Sequence, residues 1–90
     1  MLTLEEAKTF LRVDSEEDDE IIEYLIRTAE AKCKEIGRIN DSEDVSASPI
    51  FRTANYYALS YMYEHREDAD YHLMERALCA MLRNVRGVSF

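Results

Sequence analysis

The sequence predicts an all-α fold, a small helical bundle of about four helices with a long loop between the second and third. Three observations predict it. Apolar residues recur at spacings of three and four, the period of an amphipathic helix, most clearly from Ile22 to Ile36, where no strand reading fits. Only two Gly and one Pro occur in 90 residues, leaving few breakers for many short strands. Helix-start signals stand ahead of the periodic segments. A chain this long makes one domain, 1–90, with a modest core that a partner can help to complete.

Each element follows from local chemistry. Thr3 with Glu6 three residues on has capping-box spacing, and Leu4, Ala7 and Leu11 share a face with Phe10 beside them. Arg12, Val13 and Asp14 are expected to leave this first helix. Asp14 or Ser15 is the expected cap of the second, with Glu16, Glu17, Asp18 and Asp19 in its first turn, where they complement the helix dipole. Ile22, Leu25, Ile26, Ala29, Cys33 and Ile36 then form a helical stripe, and Gly37 stands where a left-handed residue closes it. Gly37 to Ser48 reads as a polar loop. Asp41, Glu43 and Asp44 lie in it, without the interior Gly and closing Glu of a calcium loop.

Ser48–Pro49 opens a third helix expected to reach about Glu67. One apolar stripe on it contains Ile50, Ala54, Tyr57, Ala58 and Tyr61, broadened by Phe51 and Met62. A second, separate stripe contains Tyr56, Leu59 and Tyr63. A helix apolar on two sides is either central in its own domain or shared between copies, and the periodicity leaves both open. Asp68 or Asp70 caps a fourth helix with Met74, Ala77, Leu78, Met81, Leu82 and Val85 inward and Gly87 at its close.

The net charge of −8 is unevenly placed. Residues 1–20 carry eight acids against Lys8 and Arg12, whereas Arg76, Arg83 and Arg86 outnumber Glu75 in the last twenty. Acidity of this kind disfavours wrapping nucleic acid, whose affinity comes largely from Lys and Arg on phosphates. An acidic start and a basic end suit head-to-tail contact between copies, or simply solvated helix faces. Cys33 and Cys79 form no CxxC pair and are read as small buried hydrophobes of a reducing compartment. No signal peptide is expected, and no apolar run approaches the ~18 residues of a membrane span.

Catalytic chemistry finds little to use. His65 and His72 are seven residues apart with neither HExxH nor ExxH spacing, so exposed or hydrogen-bonded imidazoles are expected there rather than metal ligands. With only Gly37 and Gly87, a glycine-rich phosphate loop is excluded. No catalytic residue, cofactor or metal is expected. Tyrosine is the better clue: Tyr56, Tyr57, Tyr61 and Tyr63 crowd one helix, and Tyr suits half-buried and interface positions.

Leu11–Arg12–Val13–Asp14, followed by Asp18–Asp19–Glu20–Ile21–Ile22, resembles the opening of the phage head–tail connector, or DNA-packaging adaptor, family. The stretch from Ala54 to Tyr63–Glu64–His65–Arg66–Glu67, and the closing Met81–Leu82 and Arg86, are similar to that family's later helices. A Pro often seen there before the last helix is missing here. The resemblance implies a structural, non-enzymatic helical bundle in the virion, at the head–tail junction, made in the bacterial host cytoplasm, with a prophage as one source. It implies a homo-oligomeric ring beneath the portal protein that receives a tail-completion protein and passes DNA without sequence-specific binding. Acids facing such a channel would repel the DNA backbone. The alternative is a small acidic regulator or nucleic-acid mimic. Tyr56, Leu59 and Tyr63, with Asp41, Glu43 and Asp44 of the loop, are the candidate interface residues.

Overall fold

A computed structural model describes residues 2–37, 48–68 and 70–83. They form α1 (Leu4–Leu11), α2 (Asp19–Gly37), α3 (Pro49–Glu64) and α4 (Tyr71–Leu82). No strand occurs among the described residues. The all-α bundle expected from periodicity is therefore what the chain forms.

The starts of α1 and α3 follow the local signals. Thr3 Oγ1 accepts the Glu6 N–H at 3.1 Å and Glu6 Oε1 accepts the Thr3 N–H at 3.0 Å, closing the capping box. Ser48 Oγ accepts the Phe51 N–H at 3.3 Å, with Pro49 in the first turn. Asp70, one of two expected caps, serves α4 by accepting the Leu73 N–H at 3.1 Å. α1 ends at Arg12, the one non-Gly residue with positive φ among those described (φ 60, ψ 43). The Arg12 N–H donates to Thr9 O at 3.3 Å and the Val13 N–H to Lys8 O at 3.0 Å, the paired bonds of a Schellman close.

Three boundaries differ from expectation. α2 begins at Asp19, so neither Asp14 nor Ser15 caps it, and Glu16 to Asp18 lie in the preceding turn. The Asp18 carbonyl accepts the Ile22 N–H at 2.8 Å while its carboxylate is held by α3, which keeps Asp18 at the helix edge. Gly37 is the last residue of α2 rather than the one beyond. α3 stops at Glu64, short of Glu67, because His65 leaves the helix (φ −120, ψ 46) with Nδ1 3.0 Å from Tyr61 O. Val85, Gly87 and the loop acids Asp41, Glu43 and Asp44 lie outside the described residues.

The core is built mainly by α2, α3 and α4. α2 buries Ile22, Leu25, Ile26, Ala29 and Cys33, five of its six expected positions, with Ile36 half-buried. α4 contributes Met74, Leu78 and Leu82. Cys79 is exposed, contrary to the expectation that both cysteines are buried: it falls one residue past Leu78, about 100° around the helix. Both thiols are free. α1 lies across α2 and α3 and does not touch α4. Charged pairs cross the helix contacts: Lys8–Asp19 at 2.7 Å ties α1 to α2, Arg52–Glu6 at 2.9 Å ties α3 to α1, and Lys32–Glu75 at 2.8 Å ties α2 to α4.

Candidate interaction surface

The site begins with α3, which contacts every other helix. Its inward face is Phe51, Ala54, Asn55, Ala58, Leu59 and Met62, all buried. Ala54 and Ala58 have no exposed surface and, being small, let α3 sit close to its neighbours. Asn55, the polar member, returns its Nδ2 to Phe51 O at 2.8 Å, so its burial leaves the amide bonded.

The opposite face carries a groove. Thr53, Tyr56, Tyr57, Ser60, Tyr61 and Glu64 line it, at spacings of three, one, three, one and three along α3. Phe10 of α1 and Met81 of α4 supply its walls. The groove exists because α1 and α4 each pack on α3 without meeting each other. It encloses about 430 Å³ and is mainly apolar.

Its aromatics are ordered by their neighbours. Phe10 and Tyr56 rings stand 4.6 Å apart, and the Arg52 guanidinium lies 6.0 Å from the Tyr56 ring. Tyr57, Tyr61 and His65 stack in a column along α3, at 6.2 and 4.3 Å. Tyr61 Oη accepts the Asp70 N–H at 2.8 Å, which fixes the start of α4 against the end of α3. Glu6 is held below the ordinary glutamate value of 4.5 by the Thr3 backbone N–H and then by Arg52, so the α1 wall is charged and tied at neutral pH. Glu75 is likewise lowered by its hydrogen bond from Lys32, which fixes the α4 wall to α2.

A separate polar knot sits at the end of α3. Tyr63 Oη donates to Asp18 Oδ2 at 2.7 Å, Arg66 Nη1 lies 3.9 Å from Asp18 Oδ1, and the Arg66 guanidinium stands 5.0 Å over the Tyr63 ring. The hydrogen bond to Asp18, then burial, raises the Tyr63 phenol above its ordinary 10.0. The knot staples the start of α2 to the end of α3.

The three helical candidates thus separate. Tyr56 lines the groove, Tyr63 belongs to the knot, and Leu59 has no exposed surface and packs inside the chain. Ile50, expected on the first stripe, is 46% exposed. Sequence reasoning missed Phe10, Tyr57, Tyr61 and Met81 as groove residues. The signal is present in the spacing of Thr53, Tyr56, Tyr57, Ser60, Tyr61 and Glu64, but Tyr57 and Tyr61 adjoin Ala54 and Ala58, so periodicity places them on one stripe. The core centre lies one step further round, on the side of Leu59. Among the described residues, no group of three or more His, Cys, Asp or Glu is placed to hold a metal. His65 caps α3, and His72 is exposed on α4.

No helix among the described residues is long and apolar enough to cross a membrane. No match was found among curated proteins or among solved structures. The family model described as phage gp6-like head-tail connector protein matches residues 1–84. That match takes in all four helices, including both walls of the groove. The chain belongs to the gp6-like head–tail connector proteins of phages.

Proposed function

We propose that this chain is a structural, non-catalytic part of the phage head–tail junction, assembling as a homo-oligomeric ring beneath the portal. The ring extends the DNA channel and offers a surface to a tail-completion protein. The family match over residues 1–84 carries the reading. The two-faced α3 supports it: one side is consumed by the core, and the other holds three tyrosines in an open groove. DNA passes through the ring without being read by sequence, consistent with a chain of net charge −8. The partners are other copies of the chain, the portal and the tail-completion protein. The working location is the virion.

Light scattering of the purified protein, with negative-stain images of the same fractions, tests the proposal alone and after mixing with portal assemblies. Closed rings, or portal particles extended by a ring of this protein, are the expected result. A protein that stays a single chain in both settings overturns it.

A further inference from the structure

The groove has an aromatic floor and an acidic rim. Glu64 lines it directly, and Glu5 borders the adjoining hollow beside Phe10 and Tyr56. Both glutamates are exposed. The outward face of α4 has the opposite chemistry. Leu73, Arg76, Ala80 and Arg83 follow at spacings of three, four and three and are all exposed. Leu73 leaves 48% of its surface in solvent. The only acid of α4, Glu75, is drawn to Lys32 of α2 at 2.8 Å, so it does not neutralise this stripe. The stripe lies away from the buried Met74, Leu78 and Leu82 and faces none of its own chain's core.

We infer that the groove between α1 and α4 receives the outward face of α4 from a neighbouring copy. This rests on the ring reading above and names the contact that would build the ring. Leu73 and Ala80 would cover the tyrosines, while Arg76 and Arg83 meet the rim glutamates. Two different patches of one chain make a head-to-tail contact, which closes into a ring when the rotation permits and otherwise runs on as a filament. A second exposed apolar pair, Ile21 and Tyr24 on α2, suits the groove less well. Exposed Glu20 and Glu23 accompany it, and like charges would meet at the rim.

The test uses the full chain, free and mixed with portal assemblies. One preparation carries Ser60→Cys with Cys79→Ser, and a second, tagged, carries Ala80→Cys with Cys79→Ser. A disulfide joining them can only form between copies. The expected rate is roughly tenfold above that of a control pairing Ala80→Cys with Ala31→Cys on the outer side of α2, since exchange follows access. Glu64→Arg or Arg76→Glu alone weakens self-association about tenfold, and both in one chain restore it. Ala31, Glu64, Arg76, Cys79 and Ala80 are exposed and Ser60 is half-exposed on the groove floor, so folding is retained. Rings that form while the groove cysteine stays unlinked, or while charge reversal leaves association unchanged, overturn this contact and leave the ring reading standing. Single chains in every setting overturn both.

Discussion

The two faces of α3 differ in what the tyrosines and the alanines do. On the inward face Ala54 and Ala58 are covered completely, and the larger Phe51, Leu59 and Met62 fill the space around them. On the outward face Tyr56, Tyr57 and Tyr61 are only half-covered, with α1 and α4 standing to either side. A helix central to its own core would be covered all round. α3 is central on one side only. Two short walls that pack on the same helix without touching leave its far side uncovered, and that side holds most of the helix's aromatic surface.

Experiments that separate the faces sharpen this comparison. The widest contrast is chemical. Burial pushes the Cys33 thiol up to about 12, whereas Cys79 is exposed on α4. A maleimide at neutral pH should therefore label Cys79 alone in the folded protein, with Cys33 reacting only after denaturation. Labelling of Cys33 at a comparable rate would mean that the inward face opens readily.

Truncating the inward face comes next. Leu59→Ala should lower unfolding free energy by about 2–5 kcal/mol, read from denaturant midpoints. A loss near zero would mean that Leu59 lies at the surface and that the core centre is elsewhere on α3. Tyr63→Phe removes the hydroxyl bonded to Asp18 and should cost about 1 kcal/mol. Tyr57→Phe, on the groove side, should leave stability within about 0.5 kcal/mol of the original.

Acid should loosen the walls before the core. Glu6 and Glu75 both have folded values below the ordinary 4.5, so the unfolded chain binds protons more readily. Their contribution is fully present above that value and is lost as pH falls through the lowered one. Stability should hold from neutral pH down to about 5 and decline below the ordinary glutamate range, with Glu6→Gln and Glu75→Gln each flattening part of the decline. An acid limb unchanged in both variants would remove these pairs as wall ties. A small effect is also expected at the close of α1, where Arg12 occupies a left-handed conformation. Arg12→Gly should stabilise by about 0.5 kcal/mol, relief of Cβ crowding being partly offset by the greater freedom of unfolded Gly.

Capping and periodicity were legible because they are short-range. Thr3 with Glu6 and Ser48 with Pro49 need nothing beyond their own helices, and the α2 stripe is unambiguous because six apolar positions share one narrow face. The start of α2 moved because a distant residue intervened. Asp18 is claimed by Tyr63, forty-five positions on, so the helix begins after it rather than with the first acid. α3 was the hard element because nearly every position on it is apolar or aromatic. Periodicity then returns two overlapping stripes and no means of choosing where the core centre lies.

What the sequence by itself determined is the helical class, the caps, the apolar stripe of α2 and the family resemblance, since each depends on residue type and spacing along one stretch of chain. What only the tertiary structure decided is which side of α3 became core. Leu59 went inward and Tyr57 and Tyr61 came to line a groove because α2 occupies one side of the helix while α1 and α4 divide the other without meeting. That choice depends on three helices packing at once, and no periodicity within α3 contains it.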